Sequence, residues 1–379
     1  MIYIRAGSQI YKLIILLSVV GEYPICSIHL LGNERVYKAL IHNLTKPQKI
    51  RVGTEELCLP RLFTISGKGK EKTLRFYKGA LKVLDILGIR EHYDAVSRNH
   101  RFAGDSVHRG RNHRIAEAAA MCVRAGIECR PYRLPVLQNE ERLERIRAEP
   151  GFYLSKALKQ VGEIEANKTM FTRLVGAVFS YGECFAVYNT RSSAMKWNGI
   201  GEFKALYSLA ELARLNASDI RVDSAILFGS PSSAAETIAE AGRERRREFR
   251  FDSIYRHIHF VPLDDTGIRQ LRLLTLPHFR ARIEEVLFEP DDCSYGQGRF
   301  EYDACIDGVY VLSFLDGDLA RLIRFSQAAS GFAARCEVIC FPDQRELVQE
   351  VCCAASVKVI DREVVEHELK IGRRDIFEE

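Results

Sequence analysis

Three lysines in five residues, Lys68, Lys70 and Lys72, follow Gly67 and are spaced by Gly69 and Glu71. Such a turn is poor material for a core and good material for contacts to a polyanion, where each neutralised phosphate releases counterions. A second cationic set precedes it. Arg35, Lys38 and His42 fall on one face of a helical run, and Lys46 and Lys49 lie just past its end. Val36, Tyr37, Leu40, Ile41 and Leu44 recur at helical spacing on the opposite face. One side of that helix would pack while the other meets phosphates and base edges. By itself such a run is better explained by a solvated surface helix; the lysine turn shifts the balance toward DNA. Asn33, at the helix start, fits an N-cap better than a reader of adenine.

The acids suggest a different chemistry. Nucleases of the restriction-endonuclease type hold a divalent metal with an Asp on one strand and a Glu-x-Lys on the next, the lysine orienting the attacking water. Glu202-Phe203-Lys204 has the tripeptide but opens a helix. Asp303, the strand Val309–Leu315 and Asp316-x-Asp318-x-x-Arg321 give a second approximation, without the lysine. Both depart from the pattern, so no catalytic residue, metal ligand or cofactor is assigned. Gly229-Ser230-Pro231-Ser232-Ser233 could cradle a phosphate, but it lacks a P-loop and reads as an ordinary strand–helix turn. His257 and His259 share one face of a strand, a common structural pattern, and no Gly-x-Ser-x-Gly elbow is present. His100, His108 and His113 sit in a basic stretch, Arg98–Arg114, that reads as a linker touching DNA or solvated. The 11 cysteines lack zinc spacing, and their odd number argues against a disulfide framework and for buried thiols in a reducing cytoplasm.

The elements that would position these residues follow from periodicity. Ile10–Val20, Ser27–Gly32 and Asn33–Leu44 read as helices, Leu57–Ser66 and Thr73–Tyr77 as strands, and Lys78–Leu87 as a closing helix. That order predicts a winged helix-turn-helix over residues 10–87. Residues 88–150 read as a basic connector with a helix, His113–Ala125, a strand start near Gly126–Pro131 and a charged segment, Asn139–Pro150. Residues 151–379 alternate strand-like and helix-like runs, which predicts an α/β domain and a multi-domain α/β chain. Charge follows the same division. Residues 1–150 hold 26 Lys+Arg against 15 Asp+Glu, whereas 151–379 hold 29 against 35, so the excess of positive charge accompanies the candidate DNA reader. Leu13–Val20 is too short for a membrane span, which needs about 20 residues.

The winged-helix segment, the helix His113–Ala125, and Tyr302-Asp303-Ala304 followed by Leu312–Arg324 resemble the replication-relaxation proteins of plasmids and conjugative elements. The resemblance is greatest over residues 10–125 and thinner over 300–330. It implies an N-terminal winged helix joined to a domain of restriction-endonuclease-like fold, degenerate here. The expectation is therefore a cytoplasmic protein of a mobile element that binds double-stranded DNA. The second domain would dimerise, dock other element proteins or add a DNA contact through Arg243–Arg247. A metal-dependent nuclease and a protein-interaction scaffold are the alternatives.

Overall fold

Helix α1 (Gln9–Val20) starts where the Ser8 side chain accepts from the Tyr11 amide, and it stops at Gly21, whose φ of 80° reverses the chain. Its buried Leu13, Ile14 and Leu17 each contribute about 1.5–3 kcal/mol of burial. Strand β2 (Glu22–Pro24), a 3₁₀ segment (Ile25–Leu31) and helix α2 (Glu34–Leu44) follow. The computed structural model describes residues 1–102, 105–130, 146–158, 173–195, 200–216, 219–243, 254–292, 300–331 and 334–372.

The expected strand Leu57–Ser66 is two strands in different sheets. Pro60 has no amide hydrogen to give a ladder, and the chain breaks around it. Strand β4 (Glu55–Leu59) pairs with β3 (Gln48–Val52), which lies parallel to β1 (Ile2–Ile4). Strand β5 (Phe63–Ser66) pairs antiparallel with β6 (Thr73–Phe76), and β6 with β2, giving the order β2-β6-β5. The closing helix is a 3₁₀ turn, Lys78–Ala80, and then α3 (Leu81–Ile86).

After α4 (Arg90–Val96) comes α5 (Ser106–Ala125), about 30 Å long by its 20 residues. It begins seven residues before the apolar periodicity does, because its first turns make polar contacts rather than an apolar stripe. The basic stretch is thus no solvated linker: its later part is the start of a helix that packs on several elements. Ala116, Ala118, Ala119 and Ala120 are all buried. Their small side chains let α5 pack on β2 and α1 as well as on the large sheet.

That sheet has the order β12-β11-β10-β9-β8-β7. Its strands are β7 (Glu128–Arg130), β8 (Gly151–Leu154), β9 (Leu174–Ser180), β10 (Glu183–Arg191), β11 (Arg221–Gly229) and β12 (His257–Pro262). Strands β10, β11 and β12 run parallel, β9 is antiparallel to β8 and β10, and β7 is parallel to β8. Every residue of β9 is buried, so the strand lacks the alternation of a half-exposed one. Helix α6 (Ser155–Leu158) packs on β9, and α7 (Ile200–Asn216) packs on β10 and β11. Helix α8 (Pro231–Arg243) leads toward β12, and α9 (Asp265–Leu274) packs on α5 and β12. Helix α10 (Phe279–Leu287) follows.

A smaller sheet, β13-β14-β15-β16, comprises Ala304–Ile306, Val309–Ser313, Arg335–Cys340 and Ser356–Val359. Its helices are α11 (Leu319–Ala329), α12 (Arg345–Val351) and α13 (Arg362–Glu368). The segment before α11 covers the free edge of β12: the Phe260 amide donates to Gly317 O at 2.9 Å. Gly317 has φ 70°, and a Cβ there would lie 2.8 Å from Phe260 O. One core runs from Ile4 through α5 to Leu369, so the N-terminal module and the large sheet share it. The fold is a mixed α/β assembly of several sheets. Among the described residues no helix is long and apolar enough to cross a membrane. The described cysteines are free thiols; Cys122 and Cys184 are buried, but Cys26, Cys58 and Cys353 are exposed.

Candidate nucleic-acid interface

Asn33 caps α2, accepting from the amides of Arg35 and Val36 at 3.1 and 3.3 Å. Tyr37, Ile41 and Leu44 turn inward, while Arg35, Lys38 and His42 are exposed. Val36 departs from expectation: it is 42% exposed. It lies about 100° around the helix from Tyr37, just outside the packing stripe. Lys38 Nζ is 2.5 Å from Glu34 Oε1, a pair one turn apart. Lys46 sits in the turn after α2, and Lys49 is on β3, a strand missing from the sequence reading; both are exposed.

The β5–β6 turn holds Lys68, Lys70 and Lys72, all exposed. Gly67 has φ 87°, and a Cβ there would lie 2.5 Å from Glu71 O, so the tight turn requires glycine. Glu71 accepts from Arg109 Nη1 at 3.0 Å, so the acid of the turn is already neutralised by α5. The 3₁₀ segment Ile25–Leu31 touches both this turn and α2. The two cationic sets therefore border one segment. Arg243, the first residue of the Arg243–Arg247 run, ends α8; the run from 244 onward, and the charged segment from 139 to 145, lie outside the described residues.

Buried polar contacts fix this module on α5. Glu22 accepts from Arg75 Nη2 at 2.7 Å and from Asn112 Nδ2 at 2.7 Å. Thr73 Oγ1 and His113 Nε2 are 2.8 Å apart, and burial pulls the His113 imidazole below its ordinary pKa. One turn on, Glu117 is the hub. Its carboxylate accepts from Ser27 Oγ at 2.5 Å, from Asn189 Nδ2 at 3.1 Å and from both Nε and Nη2 of Arg191 at 2.8 Å. The sequence reading missed this cluster; its traces are a lone acid in an alanine run and the Asn189-x-Arg191 pair ending β10.

The acids considered for nuclease chemistry are separated. Glu202 and Lys204 lie on α7, where a spacing of two puts side chains about 200° apart, so they cannot converge as on a strand. Asp303 accepts from the Ser313 amide at 2.7 Å and from Arg321 Nη2. Asp318 is the N-cap of α11: its Oδ1 accepts from the Ile258, Ala320 and Arg321 amides. Its Oδ2 is 2.6 Å from His257 Nδ1, and His259 Nδ1 is 3.1 Å from Asp316 O.

Arg280 lies beside both imidazoles, with Nη1 2.9 Å from His257 Nε2 and Nη2 3.4 Å from His259 Nε2. A guanidinium only donates, so both histidines must accept at Nε2 and carry the proton on Nδ1. Burial pulls His259 below its ordinary pKa, which agrees with a neutral ring. Burial alone would raise Asp318, but the His257 hydrogen bond and the charge of Arg280 hold it well below the carboxylate range. His259, Asp316 and Asp318 are close enough to hold a cation. Arg280 already supplies that charge, and the lone pairs of Asp318 are spent on its cap and on His257. The arrangement joins two sheets.

A scan against protein-family models, a search of curated proteins and a search of solved structures each find no match to this chain.

Proposed function

We propose that residues 9–87 are a winged helix-turn-helix that binds double-stranded DNA, with α2 in the major groove and the Gly67–Lys72 turn on the phosphates. The observation that carries this reading is the order α1, β2, 3₁₀ segment, α2, β5, turn, β6, closed into the antiparallel sheet β2-β6-β5. The β3–β4 hairpin is an insertion between α2 and β5. Arg35, Lys38 and His42 supply donors to phosphates and purine edges, and exposed Val36 suits a thymine methyl. Fluorescence anisotropy with labelled duplex tests the reading. The wild type binds and the Arg35→Ala/His42→Ala variant loses sequence preference; no binding at low salt overturns it.

A second reading concerns the large sheet. The meander β8-β9-β10, then α7 and β11 parallel to β10, suits a restriction-endonuclease-like core. At the end of β10 the Glu-x-Lys pattern would be replaced by Asn189-x-Arg191, closed by Glu117. Asn189 carries no charge for a metal, so this core supports the DNA reader without cutting. Mg²⁺- or Mn²⁺-dependent cleavage that is lost in Glu117→Ala would reverse this reading.

A further inference from the structure

The three-stranded sheet β1-β3-β4 packs one face on the core: Ile4, Ile50, Val52 and Leu59 are buried. The residues that alternate with these stand on its outer face. Register sets Tyr3 beside Arg51, Arg51 beside Glu56, and Lys49 beside Cys58. Arg5, just past the end of β1, holds its guanidinium 5.4 Å from the centroid of the Tyr3 ring. Tyr3 is 46% exposed, and Arg5, Lys49 and Cys58 are exposed as well. The one acid of this face, Glu56, lies 3.7 Å from Arg51, which also donates to Gly53 O at 3.3 Å. Glu55 is in register with buried Val52, on the other side of the hairpin. Arg5 and Lys49 meet no carboxylate among the described residues. The outer face therefore offers an accessible aromatic ring between two cations that no acid answers.

We propose that this outer face binds single-stranded DNA, with an unpaired base stacked on Tyr3 and the strand's phosphates on Arg5 and Lys49. An exposed ring among cations suits an unpaired strand, because every base has a π-face and the bases of a duplex are already stacked on one another. Side chains on a sheet stand roughly perpendicular to it, so neighbouring positions present their groups at one level. Lys49 is one strand over and two residues back from Tyr3, a separation of about 8 Å by strand spacing and rise. A short stretch of strand can meet both. The choice of DNA over RNA rests on the duplex reading of residues 9–87. The stacking face itself does not, since neither α2 nor the Gly67–Lys72 turn contributes to it.

The test is fluorescence anisotropy of the full chain with labelled oligo(dT), beside oligo(U) and a blunt duplex. Tyr3→Ala should weaken oligo(dT) by about five- to a hundredfold, the worth of one stacked base. Tyr3→Phe keeps the ring and should bind as the wild type does. Lys49→Ala should lower the slope of log affinity against log salt by about 0.7, the value for one single-strand phosphate. The Lys68→Ala/Lys70→Ala/Lys72→Ala variant should hold oligo(dT) unchanged. Alkylation of Cys58, beside Lys49, should slow when oligo(dT) is bound, while that of exposed Cys353 should not. No binding of oligo(dT) at low salt overturns the proposal. So does an affinity unmoved by Tyr3→Ala, or one lost equally in Tyr3→Phe. Loss in the triple lysine variant would put the strand on the wing turn and refute this face, and tighter binding of oligo(U) would refute the assignment to DNA. If the duplex fails to bind while oligo(dT) binds through Tyr3, the duplex reading falls and this one stands.

Discussion

Replacing Lys68, Lys70 and Lys72 together by alanine should change the salt dependence of DNA binding more than any other triple substitution of exposed cations. All three are exposed, and the acid between them is held by Arg109, so the turn keeps its full positive charge. Each phosphate contact contributes about 0.9 to the slope of log affinity against log salt, so losing three lowers the slope by about 2.7. Between 50 and 200 mM salt, a fourfold change, the wild type should then lose about 40-fold more affinity than the variant. Anisotropy titrations at four or more salt concentrations measure both slopes. Lys358→Ala, an exposed lysine on β16, is the control and should leave the slope unchanged. Gly67 and Gly69, which set the turn, are untouched, so the fold of the hairpin is kept. Parallel wild-type and variant lines would refute the reasoning: the turn would not touch phosphate, and the DNA path would lie elsewhere.

Glu117→Gln should destabilise the chain by about 2–3 kcal/mol in urea, because a buried carboxylate with several donors is replaced by a group that meets some of them with a donor. A loss under about 0.5 kcal/mol would mean that Arg191, whose side chain is 34% exposed, is solvated without it. Gly176→Ala should cost at least about 1–3 kcal/mol by thermal melting, since the new Cβ would lie 2.5 Å from the Phe152 ring and from Tyr153 O; an unchanged midpoint would contradict that packing. Stability should fall as pH drops below about 6.5, because unfolded histidine takes up a proton there that buried His259, facing Arg280, His257, Asp316 and Asp318, does not. His259→Asn, which keeps a donor toward Asp316 O, should flatten that dependence; an equally steep variant would assign it elsewhere. Asp318, depressed rather than raised, loses its contribution only as pH falls below about 3.8, so the two effects separate.

Elements with local signatures were legible. Ser8, Asn33 and Asp318 are side-chain caps beside amphipathic runs, and α1 and α2 end within a residue or two of where periodicity puts them. Strands β8 and β9 were not legible, since a strand buried on both faces carries no alternation to find. Val36 was misassigned because it lies at the edge of a stripe, where one residue's phase decides burial. The cationic residues of α2 and the wing turn could be read because surface charge is a local property. Glu117 and Arg191 could not, because 74 residues separate them and only the register of α5 against β10 brings them together. Likewise Arg280 gains its role only when β12 and the Asp316–Asp318 segment meet.

The arginines bear on the hydrolytic chemistry that the sequence raised. A hydrolytic metal needs carboxylates with lone pairs turned to an open position. Three buried acids are instead closed by a guanidinium: Glu117 by Arg191, Asp303 by Arg321, and Asp318 by Arg280 through the His257 imidazole. Arginine stays protonated at any pH the fold survives, so these acids are committed to holding elements together. Two of the clusters sit at joints, Glu117 between the N-terminal module and the large sheet, Asp318 between the two sheets. Interior charge is thus spent on rigidity. The cations of α2 and of the Gly67–Lys72 turn, by contrast, are exposed to solvent.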